Sequence, residues 1–175
     1  MPPKRVVLVG LRCSGKTTIG KLVAARLSWE FLDADEELVK REGRPIKDIF
    51  ATDGEGTFRA IEKDVLADLC RKERLVIATG GGAVLDAENR AIMREGALVA
   101  HLDAPPEVLN ERMARDPVTG EQRPALTDLD ALAEMKAMAQ KRAPLYAEAR
   151  HVVVDTNALD AEAAAAAILA ELEKP

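Results

Sequence analysis

The sequence predicts an α/β protein of three layers, a five-stranded parallel sheet flanked by helices on both faces. Three observations predict it. Short apolar runs alternate with longer amphipathic stretches along 175 residues, the length of one domain. That alternation calls for parallel pairing, because crossovers between parallel strands are built from helices. A glycine-rich turn, GLRCSGKTT at residues 10–18, joins the first apolar run to the first amphipathic one.

The elements follow in order. Arg5–Val9 (RVVLV) is a continuous apolar run, as a strand buried on both faces requires. Lys16–Leu27 places Ile19, Leu22, Val23 and Leu27 on one helical face. Glu30–Asp33 reads as a second strand, residues 75–79 as a third, 97–102 as a fourth and 151–155 as a fifth, each bounded by Gly, Asp or Thr. Between them, 57–70 stacks Ile61, Val65, Leu66 and Leu69, and 129–141 stacks Leu132, Met135 and Ala139. The last helix, 160–172, is alanine-rich and anchored by Ile168, Leu169 and Leu172. Two segments break the rhythm. Residues 34–56 interpose charged side chains between the second and third strands, and 116–126 (DPVTGEQRPAL) is polar with Pro and Gly, the composition of a mobile loop. No linker divides the chain, so 1–175 is expected to be a single domain.

Composition narrows the classes. Hydrophobic residues at 47% and charged residues at 31% suit a soluble chain, and with aromatics at 3% its core must come from Val, Ile, Leu and Ala. A net charge of −5 disfavours a general nucleic-acid binder, which needs a basic surface. No run approaches a membrane span, and no signal peptide precedes the glycine turn. Cys13 and Cys70 have no metal-type spacing, which suits a reducing cytoplasm.

The turn carries the chemistry. Gly10-x-x-x-x-Gly15-Lys16-Thr17 satisfies the phosphate-loop pattern and lies between a strand and a helix, the context the pattern needs. Its glycines let successive backbone N–H groups curl round phosphate oxygens, and the following helix adds the positive end of its dipole. Lys16 reaches the outer phosphates, and the Thr17 hydroxyl is a Mg²⁺ ligand. The motif therefore indicates a nucleoside triphosphate site. It leaves motor, switch and kinase open. No Asn-Lys-x-Asp stretch marks a guanine switch, and the D-x-x-G at Asp53–Gly56 follows no buried strand.

Further candidates lie near the expected carboxyl ends of the strands, where ligands collect. Asp33 and Asp35 (FLDADEE) lie two apart, so on extended chain both would face the same way. One carboxylate would steer Mg²⁺ through water, and the other would accept a proton from an acceptor hydroxyl. The competing reading is that they merely cap the next helix. Glu62 stands one turn after Arg59 and can hold its guanidinium, although such pairs are often solvated surface contacts. Gly80, Gly81 and Gly82 directly follow a strand, which suggests either a tight turn or something that must approach the backbone closely.

Taken in order, GLRCSGKTT, DAD, GEGTFRAIE, GGGAV, RPAL and RAPLY resemble the shikimate kinase family over nearly the whole chain. The resemblance implies a phosphate-loop kinase fold with a lid at 112–126 and an acceptor-binding segment at 34–60. It implies transfer of the γ-phosphoryl group of ATP to the 3-hydroxyl of shikimate with Mg²⁺, in a cytoplasmic monomer of aromatic biosynthesis. Carried over, Cys13, Ser14, Gly15, Lys16, Thr17 and Thr18 bind the ATP phosphates, and Thr17 and Asp33 serve the metal. Asp35 binds the acceptor hydroxyl as base. Arg59 and Arg142 clamp the carboxylate, Glu62 orients Arg59, and Gly80, Gly81 and Gly82 offer backbone N–H groups. Arg123 closes over the phosphates from the lid, Arg115 stacks on adenine, and Asn157 lines the base. Lys16, Asp35 and Arg123 are the catalytic set. Cys13 departs from the pattern by standing where glycine is usual, and RPAL replaces the usual RPLL. The rivals are a gluconate or nucleoside monophosphate kinase of the same fold, and a nucleotide-binding regulator without chemistry.

Overall fold

A computed structural model describes residues 2–116 and 130–174. Five parallel strands, β1 (Arg5–Val9), β2 (Glu30–Asp33), β3 (Leu75–Ala78), β4 (Ala97–Asp103) and β5 (Val152–Asp155), pair in the order β2-β3-β1-β4-β5. The central strand is the driest: Val6, Val7, Leu8 and Val9 are all 0% exposed. Alternate residues serve opposite faces, as the pleat demands. Val7, Val9, Ile77 and Val99 belong to one core with Leu38, Phe58, Leu66, Met93 and Tyr146. Val6, Leu8, Val76 and Ala100 belong to the other with Ile19, Val23, Ala164 and Ile168. Burying each such aliphatic side chain contributes about 1.5–3 kcal/mol before chain entropy is counted.

Seven helices among the described residues cover the two faces: α1 (Lys16–Leu27), α2 (Ala34–Glu42), α3 (Ile46–Leu69), α4 (Ala87–Arg94), α5 (Pro106–Arg115), α6 (Ala131–Ala149) and α7 (Ala161–Leu172). The three-layer expectation, the five strands and the helix after the glycine turn all match.

Five helices differ from the expectation. The segment 34–56, expected to break the strand–helix rhythm with charged side chains, is almost entirely helical: α2 fills its first part and α3 starts at Ile46, well before residue 57. Gly54, at φ 84° and ψ 171°, kinks α3 and hid that continuity from the apolar periodicity. Helix α6 runs past the expected end at 141 and through Pro144. An interior proline costs about 3 kcal/mol; burial of Tyr146 and Ala149 beyond it offsets that cost. Helices α4 and α5 went unread, although Asp86 caps the first through its carboxylate and a proline opens the second. Most of the segment expected as a lid, Arg123 included, lies outside the described residues; residues 112–115 are the last turn of α5.

Candidate active site

The parallel sheet gathers its carboxyl ends at one edge, where the phosphate loop, Asp33 and the glycine triplet leave their strands. The phosphate loop leaves the central strand at Gly10. A side chain there would meet the Leu102 carbonyl at 2.5 Å, so only glycine lets the loop pass β4. Cys13 adopts the left-handed region with φ 60°, which accounts for glycine being usual at that position. Lys16 Nζ donates to the Gly10 and Leu11 carbonyls at 2.7 Å each, so the lysine lies across the mouth of its own loop.

Residues Cys13 to Ile19 line a cavity of about 510 Å³ together with Arg112, Asp116, Thr156, Leu159, Asp160 and Ala161. Its chemistry suits a nucleotide: backbone donors and a helix N-terminus at one end, small side chains of the turn after β5 at the other. Arg112 donates to the Cys13 carbonyl at 3.2 Å and to Thr156 Oγ1 and carbonyl at 3.2 and 2.6 Å, tying the phosphate loop to that turn. The sequence reading gave Arg112 no role and named Arg115 for the base. One helical turn on, Arg115 is exposed and does not line the cavity. Asn157 does not line it either; its backbone N–H caps onto Asp155 Oδ1 at 2.8 Å, which shapes the turn.

Asp33 caps the next helix and also meets Thr17. One carboxylate oxygen caps α2, accepting from the Asp35 and Glu36 N–H groups at 2.9 and 3.3 Å. The other accepts from Thr17 Oγ1 at 3.3 Å, so two hard oxygen donors meet beside the phosphate loop. Asp35 lies in the first turn of α2 and not on extended chain, yet it shares with Thr17 and Asp33 the wall of a cavity of about 420 Å³.

The third cluster is held against the glycines. β3 ends beside β2, with Ala78 opposite Asp33, and Thr79 pins the next residues to β1 through the Leu8 carbonyl. A side chain at Gly82 would lie 2.5 Å from Arg59 Nη1, and one at Gly81 would lie 3.3 Å from Arg142 Nη1. The glycines are there so that two guanidinium groups can lie on the backbone. Arg59 donates to Glu62 Oε1 at 2.7 Å. Glu62 is 4% exposed, so this is no solvated surface pair. Burial raises the Glu62 pKa, with Arg59 and Arg142 opposing the rise. Arg59 Nε is buried and makes no hydrogen bond, and Arg142 is 7% exposed. A half-buried and a buried guanidinium side by side, with donors to spare, suit a carboxylate ligand. Tyr146, from the RAPLY stretch, donates to the Gly81 carbonyl at 2.6 Å and stacks on His101 at 4.5 Å. That bond fixes the glycine loop, and sequence reasoning assigned it no role.

Comparison with known proteins agrees with this arrangement. The family model for shikimate kinase matches residues 12–173. A shikimate kinase of Nitratidesulfovibrio vulgaris strain Hildenborough is 49% identical over 150 residues, 85% of each chain. One from Symbiobacterium thermophilum is 41% identical over 169 residues, 97% of this chain and 96% of its own. The structure of shikimate kinase from Acinetobacter baumannii in complex with shikimate superposes with a TM-score of 0.90 at 36% identity, covering 98% of this chain and 93% of that one. The phosphate loop, the cavity that Asp33 and Asp35 line and the arginine pair fit these relatives, and the chain belongs to the shikimate kinase family of ATP-dependent phosphotransferases.

Proposed function

We propose that this site transfers the γ-phosphoryl group of ATP to the 3-hydroxyl of shikimate, giving shikimate 3-phosphate. The observation that carries the reading is the pair of half-buried Arg59 and buried Arg142 lying on Gly82 and Gly81, in the turn after the strand that pairs with the one ending at Asp33. A planar guanidinium binds a carboxylate bidentately, so the clamp selects an acceptor acid, and the Asp35 cavity receives its hydroxyl end.

The assigned roles follow from placement. Cys13, Ser14, Gly15, Lys16, Thr17 and Thr18 cradle the phosphates, and Arg112 joins them from α5. The exposed Arg115 would reach the base from the rim, beside the turn that carries Asn157. Asp35 accepts the acceptor proton as the oxygen attacks. Phosphoryl transfer has a loose transition state, so positioning and positive charge do most of the work; Lys16 supplies that charge, and Arg123 adds to it from the lid at 112–126. Segment 34–60 forms the acceptor side. Thr17 and Asp33 would hold Mg²⁺, whose chemistry is to neutralise charge building on the phosphates. Their fit rests on the hard-oxygen pair at 3.3 Å; magnesium keeps several waters and needs few protein ligands.

No helix among the described residues is long and apolar enough to cross a membrane. Val153 and Leu159 are the large hydrophobic side chains standing exposed among them, which supports a monomer; its place in the cytoplasm is carried by the family reading alone. Proton-coupled ³¹P NMR of the product tests the reading. Phosphate on the 3-hydroxyl, with turnover lost in Asp35→Asn, is expected. Phosphate at another position, or full activity in Asp35→Asn, would refute it.

A further inference from the structure

The clamp leaves one buried cation around it unexplained. Arg12 belongs to the phosphate loop, yet it does not line the nucleotide cavity, whose wall begins at Cys13. Its side chain runs to α6, where it lies 3.7 Å from Glu134 Oε1, with the two side chains 16% and 8% exposed. Glu134 is in the first turn of α6, eight residues before Arg142. The backbone on either side of Arg12 faces both half-sites. A side chain on Gly81 would lie 3.7 Å from Leu11 Cα, and the Cys13 carbonyl accepts from Arg112. Arg12 therefore sits at the seam between the nucleotide cavity and the acceptor clamp.

Its electrostatic surroundings are unbalanced. Burial lowers the Arg12 pKa, Glu134 opposes that shift, and Arg142 is close enough to lower it again by repulsion. At 3.7 Å the ion pair is longer than a charge-assisted hydrogen bond, about 2.7–2.9 Å. Among the described residues no hydrogen bond from the Arg12 guanidinium was found, although most of it is out of water. Three buried or half-buried guanidiniums, Arg12, Arg59 and Arg142, face two buried carboxylates, Glu62 and Glu134. Glu55 Oε1 also lies 3.5 Å from Arg59 Nη2, but its side chain is 57% exposed, so among these buried groups positive charge is in excess, which an anionic ligand would offset.

We infer that Arg12 is a further specificity-determining residue: poised by Glu134, it shares with Arg142 the negative charge of the acceptor. This rests on the acceptor reading above and extends it to a residue of the nucleotide loop, so that the loop takes part in choosing the acceptor. A purely structural Arg12–Glu134 pair would not respond to the charge of the ligand. Ligand charge is therefore what the experiment varies.

Steady-state kinetics would compare wild type, Arg12→Gln and Arg12→Lys on shikimate and on its neutral carboxamide, with ATP varied separately and thermal melts recorded for each variant. Arg12→Gln is expected to raise KM for shikimate about tenfold, the effect of one charged hydrogen bond. Its kcat and KM for ATP should stay within about twofold. Arg12→Lys should regain part of the loss. On the carboxamide, wild type and Arg12→Gln should be alike. Equal loss on both acceptors, a matching rise in KM for ATP, or no change would overturn the inference. Wild type that leaves shikimate unphosphorylated would overturn the acceptor reading and the inference with it, whereas turnover with no effect of Arg12→Gln overturns the inference alone.

Discussion

Replacing Gly82 by alanine adds one methyl group and tests why the glycines are there. The backbone permits it: Gly82 has φ −94° and ψ 1°, which alanine adopts without strain. The obstacle is Arg59. The new Cβ would lie 2.5 Å from Nη1 and 2.7 Å from Cζ, with Nη2 also in conflict. Carbon contacts settle near 3.5–4.0 Å, so the guanidinium must retreat by about 1 Å. It is the tip of a flexible side chain, so the fold survives. The 2.7 Å bond to Glu62 does not. A charge-assisted hydrogen bond contributes about 1.5–3 kcal/mol, so displacing the clamp should raise KM for shikimate about ten- to a hundredfold. A coupled ADP-release assay with shikimate and ATP varied independently, beside a thermal melt, reads this out. The expected pattern is a higher KM for shikimate, KM for ATP within about twofold, and a small change in melting temperature. An unchanged KM for shikimate would refute the steric argument. A large loss of stability would show that the methyl group disturbs the core and not the arginine.

Further predictions rest on other parts of the molecule. Cys13→Gly should stabilise the protein by about 1 kcal/mol, raising Tm by about 2–4 °C, because Cys13 holds φ 60° and a left-handed non-glycine residue costs about 1–2 kcal/mol; an unchanged or lower Tm would contradict it. Glu62 has its pKa raised by burial, so it protonates at a higher pH than an ordinary carboxyl and lets go of Arg59. The acid limb of kcat/KM for shikimate should therefore lie above the usual 4.5 and vanish in Glu62→Gln; an identical limb in the variant would count against this. Burial lowers the His101 pKa to about 4 from 6.5. The unfolded chain binds its proton first, so this stability is present above 6.5 and is lost as pH falls towards 4, up to about 3 kcal/mol. Urea melts of His101→Asn should lose part of that slope, and an equal slope would refute the assignment.

Much of this was legible because phosphate-loop chemistry is local. The loop, its strand and its helix are contiguous, so Gly10, Gly15, Lys16 and Thr17 could be placed from spacing alone. Asp33 was legible twice over, as cap and as Thr17 partner, since both depend on its place at the end of β2. What resisted reading was non-local. Arg112 and Arg115 are both basic residues of one helix, and only the position of the Thr156 turn, 44 residues on from Arg112, selects Arg112. Arg12 and Glu134 are brought together by α6 docking on the loop. The Tyr146 bond to Gly81 spans 65 residues and lies beyond residue 141, where the apolar stacking put the end of the helix. The glycine triplet could be read as a tight turn or a close approach, and its occupants, two side chains of this chain, needed the fold.

The central claim is that an arginine-clamped acid is the acceptor. The most direct test is Mg²⁺-dependent ADP formation by the wild-type chain with shikimate, gluconate and AMP offered separately, each repeated in Arg59→Ala. The account predicts turnover with shikimate alone, lost in Arg59→Ala. Turnover with gluconate or AMP instead, or shikimate turnover indifferent to Arg59, would contradict it.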